Sequence, residues 1–388
     1  MTMKTSIDAL LQAGVQSGAV PGVVAMAADR DGILYEGAFG ERTLGSGQSM
    51  TLDTVGWIAS MTKALTSVAA VQCVERGHLD LDAPASKVVP EIGHAQVLTG
   101  FDADGKPTLR PPRRPITLRH LLTHSAGFSY EIWNTDIQKV QAALDIPGVT
   151  SCQNKALTLP LLFDPGERWE YGINIDWAGK MVEAVSGQTL GVFLKANLFD
   201  PLGMTSTAFR IRDDMRARLA GTHLRGPDGQ LAPFPFEIPQ EPEFEMGGGG
   251  LYGTVGDYLK FVRMILNGGQ LGGERVLKPE TVVSLGLNHM GDCRVTNLKA
   301  AIPLTNDAEF FPGVPKSWSL AFQINHAPAP TGRPAGGLMW AGLANSYYWI
   351  DAVNGLCGVY LTQIFPFADH RSLPLFEAFE KTVYDHRP

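Results

Sequence analysis

Ser60 and Lys63 are the residues whose types and spacing most directly suggest chemistry. Residues three apart share one face of a helix, so the lysine amine would lie beside the serine hydroxyl. Serine alone is a poor nucleophile, but an amine whose pKa is lowered by burial can remove its proton. The following segment, TKALTSVAAVQCVERG, predicts a mostly apolar, buried helix closed by Gly77. The pattern therefore indicates a nucleophilic serine near a helix N-terminus, where backbone NH groups can hold an oxyanion.

An SxxK tetrapeptide is weak evidence alone, and its surroundings carry more information. The segment VGWIASMTKALTSVAAVQCVERGHLDLDAPASKVVPEI resembles the active-serine region of class C β-lactamases and their relatives, the family VIII carboxylesterases. Later blocks are similar in the same order: ITLRHLLTHSAGF, FDPGERWEYGINIDWAGKMVEAVSG, LFDPLGMTSTAF, GGGGLYGTVGDYLKFVRMILNGG and GGLMWAGLANSYYWID. The resemblance implies an α/β (α+β) fold of the β-lactamase/DD-peptidase type, with an antiparallel sheet flanked by helices and an inserted, mainly helical domain.

The same resemblance assigns roles to individual residues. Ser60 and Lys63 match the family's SxxK element, and Tyr171 in WEYGI matches the tyrosine of its YxN element. Tyr171 would be a second proton carrier, since a nearby ammonium can lower the pKa of its phenol. The backbone NH groups of Ser60 and Leu343 would form the oxyanion hole. The resemblance thus predicts a catalytic set drawn from three distant segments.

Two departures from the β-lactamase pattern bear on the substrate. Trp340-Ala341-Gly342 stands where β-lactamases have KTG, and Ile173 replaces the asparagine of YxN, with Asn174 one position too late. The missing lysine would have held a substrate carboxylate, a charged hydrogen bond worth roughly 1.5–3 kcal/mol. We therefore expect neutral esters to be preferred over β-lactams. The Trp340-Ala341-Gly342 segment is predicted to contact the substrate, although a strand tryptophan is equally often plain core.

These residues predict a serine carboxylesterase that hydrolyses small, short-acyl esters through an acyl-enzyme on Ser60. The alternatives are a β-lactamase or an acyltransferase of the same fold, or a catalytically silent binding protein. No organic cofactor or metal is expected. His120 and His124 are four residues apart and could face one metal, but no third ligand or HExxH pattern accompanies them. The run Gly247 to Gly250 lacks the GK[ST] of a phosphate loop and indicates tight backbone packing.

Composition excludes other partners. The 388 residues carry a formal net charge of -7 without Lys/Arg clusters, which disfavours nucleic-acid binding. No apolar run approaches the roughly 18 residues of a membrane span, and polar residues interrupt the N-terminal segment where a secretory signal would be apolar. We therefore expect a cytoplasmic protein whose partner is a small-molecule ester, with its oligomeric state open. Reduced thiols are expected at four scattered cysteines: Cys73, Cys152, Cys293 and Cys357.

Local patterns predict the elements that must position these residues. Apolar residues at helical spacing predict a helix across residues 7–15, and two apolar runs around Asp29 to Gly32 predict a hairpin. Thr254 is expected to cap a helix that stops at Gly268 and Gly269. An Asn-Gly pair at 354–355 predicts a second hairpin, followed by a helix over 375–384. We infer a sheet domain from residues 1–80 and 250–388, with residues 81–249 inserted as a mainly helical domain.

Overall fold

The computed structural model describes residues 2–387. Its strands are, in chain order, β1 (Gly22–Asp29), β2 (Ile33–Gly40), β3 (Val55–Trp57), β4 (Val97–Phe101), β5 (Pro107–Arg110), β6 (His223–Arg225), β7 (Leu231–Pro233), β8 (Tyr252–Thr254), β9 (Gln270–Leu271), β10 (Glu274–Arg275), β11 (Lys316–Trp318), β12 (Gln323–Asn325), β13 (Leu338–Gly342), β14 (Ser346–Asp351), β15 (Leu356–Leu361) and β16 (Ile364–Phe365). Its helices are α1 (Met3–Gln16), α2 (Thr62–Glu75), α3 (Leu118–Leu122), α4 (Thr135–Leu144), α5 (Asn174–Ser186), α6 (Leu190–Leu194), α7 (Asp200–Leu202), α8 (Asp213–Arg216), α9 (Val255–Leu266), α10 (Pro279–Leu285) and α11 (Ser372–Asp385).

A seven-stranded antiparallel sheet is the frame of the fold. Its strand order is β11-β12-β13-β14-β15-β1-β2. The two ends of the chain meet where β1 pairs with β15, with Val24 opposite Leu361 and Asp29 opposite Leu356. The expectation of an antiparallel sheet flanked by helices is confirmed. Every strand of this sheet lies in residues 22–40 or 316–361.

Helices cover both faces of the sheet. Successive strand residues point to opposite faces, and every residue from Gly22 to Ala28 is buried. Helix α1 packs against α11 and β2, whereas α9 packs against β1, β14 and β15. The predicted N-terminal helix is α1, which buries Ile7 and Leu11, and the predicted C-terminal helix is α11. Both helix predictions are confirmed.

The two predicted hairpins and the predicted helix cap at Thr254 are also confirmed. The first predicted hairpin is β1-β2 and the second is β14-β15, where Asp351 Oδ1 accepts from the NH groups of Val353 and Asn354. Thr254 caps α9, because its hydroxyl accepts from the backbone NH of Asp257 at 3.1 Å. This helix ends at Leu266, just before two glycines with positive φ. These signals are local, which explains why the sequence revealed them.

The central segment joins the sheet next to Ser60. Residues 81–249 contain helices α3 to α8 and the short strands β4 to β7. Strand β3 pairs with β8, so that Trp57, shortly before Ser60, lies opposite Tyr252, shortly after Gly250. This ribbon brings the serine segment against the glycine-rich segment. The domain limits at residues 80 and 250 stay a prediction.

Membrane-spanning helices and disulfide bonds are both absent from residues 2–387. No helix within residues 2–387 combines the length and the apolarity needed to cross a membrane. All four cysteines are free thiols, in agreement with their scattered spacing. Cys73, Cys152 and Cys357 are buried, and Cys293 is partly exposed.

Candidate active site

Ser60 lies in a tight turn directly before α2. The 3-10 turn Ala59–Met61 connects β3 to this helix. Ala59 has a φ of 45°, a left-handed conformation that residues other than glycine rarely adopt. The strand before it is anchored, since the Trp57 NH donates to Gln363 Oε1 at 2.9 Å. The surrounding structure therefore holds Ser60 in a strained turn, a feature that is common at functional sites.

The amine of Lys63 lies beside the Ser60 hydroxyl. Its Nζ donates to Ser60 Oγ at 3.0 Å and to the backbone carbonyl of Gly248 at 2.5 Å. The same Nζ is 4.7 Å from the ring centre of Tyr171 and 5.1 Å from that of Tyr130. Lys63 is only 1% exposed, and this burial lowers the pKa of its amine. An amine in this state can accept a proton near neutral pH.

Tyr171 reaches the same point from the segment before α5. Its Oη accepts a hydrogen bond from Trp340 Nε1 at 2.8 Å. Burial raises the pKa of the phenol, while hydrogen bonds from Ser60 and Trp340 lower it. Gly172 permits this approach, because a Cβ there would lie 2.4 Å from the carbonyl oxygen of Phe128. The structure thus brings Ser60, Lys63 and Tyr171 together.

The end of β13 runs beside the serine turn. A Cβ on Gly342 would lie 2.4 Å from the carbonyl oxygen of Ile58, so only glycine allows this close approach. Ala341 and Leu343 line the same cleft as Ser60. Within residues 2–387, the backbone NH groups of Ser60 and Leu343 donate to no other protein group. Both are therefore available to a bound oxygen, as an oxyanion hole requires.

The sequence left open whether Trp340 contacts the substrate or is part of the core, and the structure places it both in the core and along the cleft. It is 3% exposed and packs 4.6 Å, centre to centre, from the ring of Trp318. It also lines the cleft and donates to Tyr171. This indole is therefore core and cleft wall at once, and its hydrogen bond to Tyr171 is a contact that the sequence did not reveal.

The two histidines have different surroundings. His120 Nδ1 accepts from the Thr117 NH at 3.2 Å and helps to cap α3. His124 is buried, and its Nδ1 accepts from Asn174 Nδ2 at 3.1 Å. Burial and the nearby Lys63 hold the pKa of His124 well below its usual value, so the ring is neutral. Residues 2–387 contain no group of three His, Cys, Asp or Glu side chains that could hold a metal ion.

Asp176 and the glycine run complete the surroundings of Lys63. Asp176 lies on α5 and is 1% exposed, and its Oδ1 accepts from the Gly248 NH at 2.8 Å. A Cβ on Gly248 would lie 2.5 Å from Asp176 Oδ2, and one on Gly247 would lie 3.1 Å from Thr66 Cγ2. The run therefore packs tightly between α2 and α5, as interpreted from the sequence. Burial raises the pKa of Asp176, and the charge of Lys63 lowers it.

The cleft beyond Ser60 is mainly apolar. The space in it that atoms do not fill, counted to include its open mouth, is about 630 Å³. None of the described residues that line it is a lysine or arginine, and its acidic member is Glu131, whose pKa is raised by burial. Its lining residues are Trp57, Ala59, Ser60, Tyr130, Glu131, Ile132, Trp133, Val149, Thr150, Tyr171, Met246, Gly248, Gly249, Leu298, Trp340, Ala341, Leu343 and Phe367.

Sequence reasoning missed three residues that contact Lys63 or its neighbours. Gly248 lies in a glycine run whose composition indicates only tight packing, and Tyr130 carries no motif of its own. Asp176 stands between the apolar residues Ile175 and Trp177 in the sequence. A carboxylate in such a setting is a signal of a buried charge, and this signal could have identified it.

Comparisons with known proteins agree with this geometry. A family model described as beta-lactamase matches residues 7–379. Lovastatin esterase of Penicillium rubens is 36% identical over 97% of this chain and 98% of its own length. Monacolin J acid methylbutanoyltransferase of Aspergillus terreus is 33% identical over 97% of this chain and 95% of its own length. These relatives are an esterase and an acyltransferase.

A solved structure also matches this chain over almost its whole length. Unliganded simvastatin synthase from Aspergillus terreus, as its selenomethionyl derivative, has a TM-score of 0.88 at 31% identity, covering 99% of this chain and 98% of its own. The predicted resemblance to β-lactamase-like serine hydrolases is confirmed, while the narrower assignment to family VIII carboxylesterases stays a prediction. Since the family model spans nearly the whole sequence and relatives above 30% identity cover almost all of it, this chain belongs to the beta-lactamase family.

Proposed function

We propose that this protein is a serine esterase that forms an acyl-enzyme on Ser60. The observation that carries the proposal is the 3.0 Å contact between Lys63 Nζ and Ser60 Oγ, made by an amine removed from water. Burial of the amine favours its neutral form, which is the form that can take the serine proton. The nearby phenol of Tyr171 supplies a second group for moving that proton.

The proposed reaction has two halves. Lys63 takes the proton from Ser60 as Oγ attacks the ester carbonyl, and the NH groups of Ser60 and Leu343 stabilise the oxyanion. The Tyr171 and Lys63 pair then returns a proton to the alcohol as it leaves. Water attacks the acyl-enzyme in the second half and restores the free serine. Each step uses only groups of this chain, the substrate and water.

The cleft favours neutral esters over β-lactams. Trp340 occupies the position where a lysine would bind a carboxylate, and its indole donates to Tyr171 instead. A substrate carboxylate would enter a mostly apolar space without a cation to pair with it, and burying an unpaired charge is unfavourable. We therefore propose uncharged esters as the substrate class.

Acyl transfer is the second candidate function. It shares the acyl-enzyme and differs only in the acceptor, because an alcohol replaces the final water. The observation that favours it is the 33% identity to a methylbutanoyltransferase, beside the 36% identity to an esterase. The name of the transferase also supports a branched short acyl group such as methylbutanoyl as the group that Ser60 carries.

The test compares wild type, Ser60→Ala and Tyr171→Phe on p-nitrophenyl esters from acetate to octanoate, including 2-methylbutanoate, and on a chromogenic cephalosporin. We expect highest kcat/KM for short acyl groups, loss of turnover in Ser60→Ala and weak cephalosporin cleavage. Efficient cephalosporin turnover with negligible ester turnover would refute the ester proposal. A covalent serine probe that fails to label the Ser60 peptide would instead favour a catalytically silent binding protein.

Product analysis separates hydrolysis from transfer. The enzyme is given a 2-methylbutanoyl thioester or ester together with acceptor alcohols of increasing size and apolarity. Free acid as the main product supports the esterase, and an acylated acceptor formed faster than free acid supports the transferase. Ser60→Ala serves as the control for uncatalysed transfer.

A further inference from the structure

Lys63 and Asp176 bind the two polar backbone groups of the same residue. Lys63 Nζ donates to the Gly248 carbonyl at 2.5 Å, and the Gly248 NH donates to Asp176 Oδ1 at 2.8 Å. Both side chains are 1% exposed. The other oxygen, Asp176 Oδ2, is buried and has no hydrogen-bond partner within residues 2–387. A carboxylate held this way is costly unless a positive charge lies nearby.

Four other ionisable groups near this pair are uncharged at neutral pH. Burial raises the pKa of the phenols of Tyr130 and Tyr171 and that of the Cys152 thiol, and the charge of Asp176 raises the thiol pKa further. Burial and Lys63 lower the pKa of His124. The charge of Asp176 therefore has Lys63 as its main counterpart.

We propose that Asp176 is a positioning residue that holds Lys63 in place through Gly248 and stabilises the ammonium that forms when Lys63 takes the Ser60 proton. The inference rests on the proposed function. In the step concerned, the O–H bond of Ser60 breaks, Oγ bonds to the acyl carbon, and the proton moves to Nζ. The carboxylate then faces a full positive charge in a site of low polarity, where the attraction is strong.

The charge of Asp176 has a defined effect on pH dependence. A nearby carboxylate raises the pKa of Lys63, opposing the effect of burial. Removing the negative charge therefore lowers the pKa of Lys63, and the neutral amine persists to lower pH. The acidic limb of the kcat/KM profile shifts downward, while the plateau falls because the amine is a weaker base.

The experiment measures the pH profile of ester hydrolysis in wild type, Asp176→Asn and Asp176→Glu. The asparagine keeps an oxygen that can accept from the Gly248 NH but carries no charge. We expect its acidic limb to lie about one pH unit lower, with a plateau roughly tenfold lower. The glutamate restores the charge, and its limb should return toward the wild-type position.

Thr66→Val is the matched control. Thr66 Oγ1 donates to the Gly247 carbonyl at 2.8 Å, so valine disturbs the same glycine run without changing any charge. We expect its profile to keep the wild-type midpoint. A shift in Thr66→Val as large as that in Asp176→Asn would overturn the proposal, since packing alone would then explain both.

The Ser60→Ala variant distinguishes a failure of the proposed esterase function from a failure of the proposed role of Asp176. If Ser60→Ala keeps wild-type turnover, the proposed function fails. If it is inactive while folded Asp176→Asn keeps the wild-type midpoint, only the role of Asp176 fails. Should the asparagine variant not fold, Asp176→Ser removes the charge with a smaller side chain, and the same downward shift is expected. An unchanged or raised midpoint in the serine variant would overturn the role of Asp176.

Discussion

Among the buried pairs of a basic and an acidic side chain within residues 2–387, Arg333 with Glu380 and Lys63 with Asp176 differ in geometry. Arg333 forms a direct fork with Glu380, at 2.7 Å from Nε and 2.8 Å from Nη2, and both side chains are fully buried. Lys63 and Asp176 are joined through Gly248 instead. A guanidinium keeps its proton at any working pH, whereas a buried amine and carboxylate can change their protonation. The fork suits a structural role, and the indirect pair suits proton transfer.

The largest effect is expected for Lys63→Met, which removes the proposed base. We expect kcat/KM to fall by about 10²- to 10⁴-fold, the usual contribution of a positioned proton carrier. Stability should change little, because Asp176, whose pKa is already raised by burial, can take up a proton when its counterpart is lost. Ester turnover and urea unfolding check the two parts.

Lys180→Met is the control for this variant. Lys180 lies on α5, is partly exposed and pairs with Glu183 at 2.8 Å. Its replacement should leave kcat/KM within about twofold, as expected for a partly exposed pair of low energy. A Lys63→Met protein that retains wild-type turnover would contradict the contrast between the two pairs.

Glu380→Gln should lower stability and leave turnover unchanged, the opposite of what is expected for Lys63→Met. It leaves the Arg333 charge buried without its counterpart, and such a loss costs about 3–5 kcal/mol of unfolding free energy. The folded fraction should keep wild-type kcat/KM. Glu377→Gln, one turn away on α11, removes a carboxylate that makes no hydrogen bond to Arg333 and should cost less. Equal losses in both variants, measured by urea unfolding, would argue against a special role for the fork.

A glycine lies beside each of the two pairs, Gly248 beside Asp176 and Gly337 beside Arg333. Alanine at Gly248 would place a Cβ 2.5 Å from Asp176 Oδ2, and alanine at Gly337 would place one 2.3 Å from Arg333 Cδ. Gly248→Ala displaces the carboxylate and should lower kcat/KM by on the order of tenfold, since hydrogen bonds to charged groups contribute about 1.5–3 kcal/mol. Gly337→Ala should lower stability without lowering kcat/KM. The same response in both variants would contradict the distinction.

The smallest effect is expected at the edge of the site, in Trp340→Phe. This change removes the hydrogen bond to Tyr171 and so raises the pKa of its phenol. A neutral hydrogen bond is worth about 0.5–1.5 kcal/mol, which predicts a loss of kcat/KM between about twofold and tenfold. Trp349→Phe is the control, because Trp349 lies on β14 of the main sheet and packs against Phe379 of α11. An equal loss of kcat/KM in both variants would show a general packing effect.

Much of the frame could be predicted because its signals are local. Helix α1, the hairpins β1-β2 and β14-β15, and the Thr254 cap each depend on residues within a few positions. The proximity of Ser60 and Lys63 also follows from helical periodicity. The convergence of Tyr171 came from family resemblance, because no local pattern links it to Ser60.

The amino-acid sequence by itself determined helices α1, α2, α9 and α11, the two hairpins, the Thr254 cap, the Ser60 and Lys63 pair and the family. Only the tertiary structure decided that Gly248, 185 positions from Lys63, accepts its second hydrogen bond, and that Trp340, 169 positions from Tyr171, donates to its phenol. The physical reason is how far apart along the chain the interacting residues lie. Turns and helices arise from neighbours along the chain, whereas the pKa of a buried group depends on what distant segments pack around it.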